Sequence, residues 1–341
     1  MPMLRPFIKD RERYTDEDRA RDYGTWVSKV EITEEALGAD LAVLPMSWNY
    51  YRVHKRERLA VEFVSEARRA GLQVLSWTSG DFGVTPLDRD VYVLRSSGYR
   101  SKRLPRQFAL PVFVKDPLVT YFNQSEPILY PKTDVPVVGF CGLAHAPLYK
   151  IAYDIARTAV RNVRFHTGLS PFEPQELYPA TWRRARALSL IRNNSMISDN
   201  FVVRTAYRAG ARMPEDIRRT KIEYFRNIKE SGYIICVRGN GNFSARLYET
   251  MAMGRIPVII DTDCIYPYDE LIDWKGLCVW VDARRMDALP KKLLKFHASL
   301  DDNTFVELQR KIRREWVERL SMGGYFATLF ENVNQGLPLR L

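Results

Sequence analysis

Residues 233–261, "YIICVRGNGNFSARLYETMAMGRIPVIID", set two apolar, β-branched runs on either side of a Gly/Asn-rich loop and a short helical pattern. Runs this continuously apolar fit strands covered on both faces, and a helix between two of them is the crossover of a parallel sheet. The same rhythm appears earlier. "DLAVLP" (40–45) reads as a buried strand, and Lys55 to Ala70 as an amphipathic helix with Leu59, Phe63 and Ala67 at four-residue steps, ended by Gly71. "LQVLSW", "DVYVLR" and "LPVFV" are further strands, with "TSGDFG" as a loop after the first of them. Asp116 to Thr133 has three prolines and no period, so it reads as a linker. "VPVVGFCG" then restarts the alternation. Helices are expected at 148–161 and 173–190 and at Pro214–Glu230, with Gly232 just past the last; "GLCVWVD" is a strand, and two basic helices run to the C-terminus. The outcome is two α/β halves joined near residue 130.

The 341 residues suffice for two cores, and 46% apolar with 27% charged residues reads as globular. No apolar run reaches the length of a membrane span, and "MPMLRPFIKDRERYTDEDRARDYG" has no apolar h-region, so the expected compartment is the cytosol. Cys141, Cys236, Cys264 and Cys278 form no C-x-x-C pair and read as buried thiols rather than a disulfide framework or zinc site. A net charge of +11 favours an anionic partner: a nucleotide, a nucleic acid or the anionic face of a membrane. Nucleic-acid binding predicts a basic stripe with interleaved aromatics, which is not visible, so no nucleic acid is expected. The clusters Lys55–Arg58, Arg183–Arg186 and Arg310–Arg314 read as solvated helix faces. The C-terminal basic helices, Thr304 to Arg319, either lie peripherally on anionic lipid or fold back across the two halves.

Ligands in open parallel sheets bind outside the carboxyl ends of the strands, where Gly239 to Ser244 lies. Glycines admit close backbone approach, Ser244 suits an N-cap, and the helix start after it suits a phosphate. Arg246 adds a forked cation for a diphosphate, and Glu249, one turn on, can accept from a ribose diol. The plain alternative is an exposed i,i+3 ion pair between them. The loop is neither G-x-G-x-x-G nor a P-loop.

"RGNGNFSARLYETMAMGRIPVIIDTDCIYPYDELIDW" resembles the C-terminal signature of the exostosin-type glycosyltransferases (glycosyltransferase family 47). The resemblance is carried by the glycine loop Gly239–Ser244, the R-L-x-E of Arg246–Glu249, the G-x-I-P-V-I-I of Gly254–Ile260, the acidic loop Asp261–Asp263, Pro267–Tyr268 and Ile272–Trp274. Weaker similarity, including "ALPVFVKDP" and "GFCG", runs through most of the chain. The resemblance implies an α/β GT-B fold: two Rossmann-like domains facing a cleft, 1–130 for the acceptor and 131–315 for a nucleotide sugar, with a helix in 316–341 packing back on the first. It implies a soluble bacterial or viral member, and inverting transfer from a nucleotide-diphosphate sugar, a UDP-sugar being expected, to a hydroxyl of a glycan or glycoconjugate, with no cofactor and no metal. Arg255 stands where the family usually has Cys, and Tyr266-Pro267-Tyr268 replaces "LPF"; both departures bear on the donor sugar. Two other readings are a non-catalytic GT-B-like partner in glycan assembly and a basic nucleic-acid-binding protein.

Inverting transfer needs a general base, stabilisation of the leaving diphosphate and alignment of both substrates. On the donor side the candidates are Arg238, Gly241, Asn242, Phe243, Ser244, Arg246 and Glu249, with Arg204 as a further cation and Gly142, in "GFCG", admitting close approach. The base is expected from the N-terminal half: Asp81 first, in "TSGDFG", or a turn-shaping Asx residue; His54 second. Trp48, Tyr50 and Tyr51 stack on acceptor sugars or belong to the core. His145 and His166 read as structural before ligand-binding. Asp261 and Asp263 read as loop caps or sugar contacts rather than a metal-binding D-x-D.

Overall fold

The structure, a computed structural model, describes residues 35–88, 90–145 and 147–334, and residues 17, 20 and 33 besides. The first sheet comprises β1 (Ala42–Val43), β2 (Val74–Trp77), β3 (Tyr92–Arg95) and β4 (Gln107–Ala109), parallel throughout and adjacent in sequence order. Helices α1 (Trp48–Val53) and α2 (Glu57–Arg69) make its first crossover. The buried stripe of α2 is Ala60, Val64 and Ala67, one position round from the expected face; Leu59 faces solvent. The next two crossovers run through loops, so helices do not alternate with strands as expected. The last strand is "QFA", not "LPVFV". Pro111 has no N–H to give to a ladder, and the chain leaves the sheet there, carrying Phe113 onto Tyr325 and Phe326.

The proline-rich linker contains a helix, α3 (Pro117–Phe122). Asp116 caps it by accepting from the Leu118 N–H at 3.0 Å, Pro117 occupies the first turn, and Asn123 ends it in the left-handed region.

The second sheet holds β5 (Val137–Leu143), β6 (Ser198–Arg204), β7 (Tyr233–Cys236), β8 (Ile256–Asp261) and β9 (Val279–Asp282), all parallel in the order β6-β5-β7-β8-β9. Its helices are α4 (Leu148–His166), α5 (Ala180–Arg192), α6 (Pro214–Lys229), α7 (Ala245–Ala252), α8 (Leu289–Ala298), α9 (Asp302–Glu315) and α10 (Met322–Asn334). α4 runs past the expected Arg161, and α5 starts at Ala180 because Pro174 and Pro179 keep the residues before them extended. The strand order reverses between β5 and β7, which makes the crevice there the switch point where ligands of such sheets bind. Each sheet is parallel, so the chain holds two α/β units, as a GT-B fold requires.

The C-terminal helices fold back. α9 buries Phe305 and Ile312, Trp316 just past its end is buried too, and Arg313 is bound by Asp116 and the Ala252 carbonyl. On α10, the Tyr325 hydroxyl donates to Ala109 of the first sheet at 3.1 Å, while its carbonyl accepts from Tyr268 of the second half at 2.6 Å. Of the two readings of Thr304 to Arg319, the structure has the fold-back: the face that carries Arg313 is inside the protein, while Arg310, Lys311 and Arg314 stay exposed. No helix among the described residues is long and apolar enough to cross a membrane. The four cysteines are free and buried.

Candidate functional site

The loop after β7 closes on itself where the Gly239 N–H donates to the Phe243 carbonyl at 2.8 Å. Arg238, buried at its base, donates to Gln175 Oε1 (2.6 Å), the Asn240 carbonyl (2.8 Å) and the Tyr99 hydroxyl (3.3 Å). Asn242 is fully buried. Its Nδ2 donates to the carbonyls of Gly98, Thr262 and Asp263 at 2.9, 3.1 and 3.3 Å, and its Oδ1 accepts from the Thr262 hydroxyl at 2.7 Å. The side chain expected to touch a donor therefore pins the loop to the other half. Ser244 stands at the N-cap of α7, but its side chain makes no capping bond. Gly254 ends the helix with φ +64°.

Arg246 reaches back to the switch point. Its Nη2 donates to the Cys141 carbonyl of β5 at 2.7 Å, its Nη1 to the Ile235 carbonyl of β7 at 3.4 Å, and its guanidinium lies 4.1 Å from the centre of the Phe140 ring. Its Nε donates to the Tyr224 hydroxyl at 3.3 Å, and that hydroxyl donates to Glu249 Oε2 at 2.5 Å. The two residues are thus no exposed ion pair; Tyr224 stands between them in an interior relay. Burial raises the Glu249 carboxyl above its ordinary value, with the Tyr224 hydrogen bond and Arg246 pulling the other way. Gly142 is the neighbour that allows this: its φ is +154°, and a Cβ there would lie 2.8 Å from Arg246 Nη2.

Sequence reasoning missed the arginines of α5. Arg183 is buried and Arg184 spans the crevice, donating to the carbonyls of Leu143 at 3.3 Å and Arg238 at 3.1 Å. Burial, then Arg246, pulls the Arg184 guanidinium down to about 10. Burial and then Arg238 lower Arg183; burial, Arg157 and Arg238 lower Arg161. The Nε atoms of Arg161 and Arg183 are buried with no hydrogen-bond partner. The signal was present: Arg183 lies on one helix face with Ala187 and Ile191, both buried, so it could not be solvated with Arg186. Arg204, at the end of β6, is held by Glu223 and the Thr220 carbonyl, and its Nε is likewise buried without a partner.

Asp81 faces the glycine loop. Its Oδ2 accepts from Asn240 Nδ2 at 3.3 Å, and its carbonyl lies so close to Gly241 that a Cβ there would collide with it. α1 supports this loop: Asn49 donates to the Phe82 carbonyl and accepts from the Ser79 N–H. His54 caps α1, packs at a tilt against Tyr50 with ring centres 4.5 Å apart and is exposed. Trp48 and Tyr51 are core residues, Trp48 donating to Ser76, so they offer no platform to a sugar. His145 and His166 are exposed rather than structural. Asp261 accepts from Arg100 at 2.8 Å, and Asp263 from Ser101; both tie the halves together. Arg255, the departure from the family pattern, is buried away from the loop, donating to the Ile128 and Lys229 carbonyls and pushed down to about 10 by burial. Between the halves lies a cavity of about 250 Å³, lined among others by Arg95, Tyr99, Lys102, His166 and Glu173; Arg95 and Glu173 are paired.

Residues 181–296 match the exostosin GT47 domain. A probable glucuronosyltransferase of Oryza sativa subsp. japonica is 23% identical over 197 residues, 56% of this chain and 41% of its own. The probable beta-1,4-xylosyltransferase IRX10L of Arabidopsis thaliana is 33% identical over 61 residues, 18% of this chain and 15% of its own. The chain thus spans less than half the length of these curated relatives. The crystal structure of TarM aligns at a TM-score of 0.37 and 10% identity, over 81% of this chain and 53% of that one.

Proposed function

We propose, with residues 181–296 forming an exostosin GT47 domain as the premise, that this chain is a glycosyltransferase. In this reading it moves a sugar from a nucleotide-diphosphate sugar to a hydroxyl of a glycan acceptor, with inversion and without a metal. The observation that carries it is the set of arginines around the switch point: Arg161, Arg184 and the buried Arg238 lie in poorly solvated surroundings beside Arg183, which Glu176 already pairs, and besides burial neighbouring guanidiniums lower Arg161 and Arg184. Cations brought together against their own repulsion favour a multiply charged anion, and a diphosphate supplies one.

The base of the donor would enter beside Gly239–Ser244; the N–H groups of Gly239 and Asn242 are taken by the Phe243 carbonyl and the Ser97 hydroxyl, so the start of α7 is where backbone N–H groups would meet the phosphates. As the glycosidic bond to the diphosphate breaks, these groups and the arginines hold the charge that develops on the leaving oxygen. Asp81, carried by the N-terminal half to the opposite lip, takes the proton of the acceptor hydroxyl. The relatives named glucuronosyl- and xylosyltransferases make a UDP-linked uronic acid or pentose the first donors to try.

A thermal-shift series with UDP, GDP, CDP, dTDP and CMP, with and without EDTA, tests this. One diphosphate should raise the midpoint whether or not EDTA is present; a ligand at about a hundred times its Kd adds about 2.7 kcal/mol. Asp81→Asn should keep that rise and lose transfer. A flat response to every nucleotide would move the chain to the non-catalytic reading.

A further inference from the structure

α4 carries an apolar row that no described residue covers. Tyr149, Tyr153, Ala156, Val160 and Val163 follow one another at steps of four, three, four and three, so they share one helix face, and all are exposed. Tyr149, Tyr153, Val160 and Val163 are 60–79% exposed, and Leu148 extends the row at 84%. Beside it runs a basic row, Lys150, Arg157 and Arg164, seven residues apart; Arg157 and Arg164 are exposed. The helix has a single acid, Asp154, paired with Arg157 at 3.3 Å.

A continuous exposed apolar face marks an interaction surface. Its composition selects the partner. A second copy docking by two-fold symmetry would set one arginine row near the other with only Asp154, already paired with Arg157, as an acid. An anionic lipid surface satisfies both rows: the apolar row enters the acyl boundary, tyrosines sit at headgroup depth, and arginines reach the phosphates.

We propose that α4 is an interfacial helix that seats this protein on membranes bearing anionic lipids. The opposite face of α4 reaches the candidate site. Asn162 exchanges hydrogen bonds with Gln175, whose Oε1 accepts from Arg238, and the Arg161 guanidinium lies 4.1 Å from the centre of the Phe82 ring next to Asp81. The seat thus places both lips of the cleft within about a helix's width of the membrane surface, whatever the acceptor is.

Cosedimentation of the full chain with phosphatidylcholine vesicles, with and without phosphatidylglycerol, tests this. Binding is expected only with the anionic lipid, weakening with salt. Arg157→Glu/Arg164→Glu, both exposed and so compatible with folding, should lower it about tenfold or more, and Tyr149→Ser/Tyr153→Ser should lower it at both ionic strengths. The nucleotide-induced thermal shift should be unchanged in Tyr149→Ser/Tyr153→Ser, which separates this test from that of the donor site. No binding to anionic vesicles, binding indifferent to these changes, or a dimer in light scattering that Tyr149→Ser/Tyr153→Ser dissolves would overturn it.

Discussion

Arg246 donates through Nη2 to the Cys141 carbonyl, 2.7 Å away, and that bond ties α7 to the end of β5 across the switch point. With Ile235 and Tyr224 as its other acceptors, the guanidinium holds two strands and a helix together at the base of the crevice. Arg246→Ala should therefore lower stability by about 2–3 kcal/mol, since hydrogen bonds from a buried charge are among the stronger ones. Arg246→Lys, which keeps the charge but not the fork, should fall nearer to Ala than to Arg. Urea denaturation measures both. Unchanged stability with lost nucleotide binding would instead make Arg246 a ligand group.

Gly142→Ala meets two obstacles: a backbone at φ +154° and a Cβ 2.8 Å from Arg246 Nη2. A cost on the order of 1–3 kcal/mol is expected. Because part of it is the collision with Arg246, the double variant with Arg246→Ala should cost less than the two single changes added together. Strict additivity in the double-mutant cycle would show that backbone strain accounts for all of it.

Glu249 is held above its ordinary 4.5 by burial, so the folded protein keeps this proton more tightly than the unfolded chain does. The stability this contributes is fully present below about pH 4.5 and is lost as pH rises through the higher folded value. Glu249→Gln removes it. The stability of the native chain relative to that variant should fall with rising pH in this window and then level off; melting curves of both proteins across the acid range read it directly. A difference that grows with pH would mean the Tyr224 bond and Arg246 outweigh burial.

Asn242→Ala leaves the carbonyls of Gly98, Thr262 and Asp263 without their shared donor inside the protein. A loss of about 3 kcal/mol is expected. Asp81→Asn, on an exposed side chain, should stay within about 0.5 kcal/mol of the native chain. Equal midpoints for the two variants in thermal melts would remove the structural role assigned to Asn242.

Much of the second half was legible because buried parallel strands write themselves as unbroken apolar runs. "YIIC" and "IPVIID" are buried at every position, and the Gly/Asn loop between them left little choice but strand, turn, helix, strand. β6 was missed because "SDNFVVR" opens on polar residues, as an edge strand can. α3 was hidden by its prolines, although Asp116-Pro117 is itself a helix-start pair.

The candidate site divides the same way. The sequence by itself determined the second parallel sheet, the glycine loop at a strand end, Ser244 at the N-cap and the closeness of Asp81's loop to the cleft. Only the tertiary structure decided what the polar side chains hold: Arg246 a carbonyl 105 residues away, Asn242 one 144 residues away, Glu249 the hydroxyl of Tyr224. The physical reason is range. Apolar periodicity records which side of its own helix or strand a residue turns to water, whereas a hydrogen-bond partner is chosen by how separate elements pack, and no local pattern carries that information.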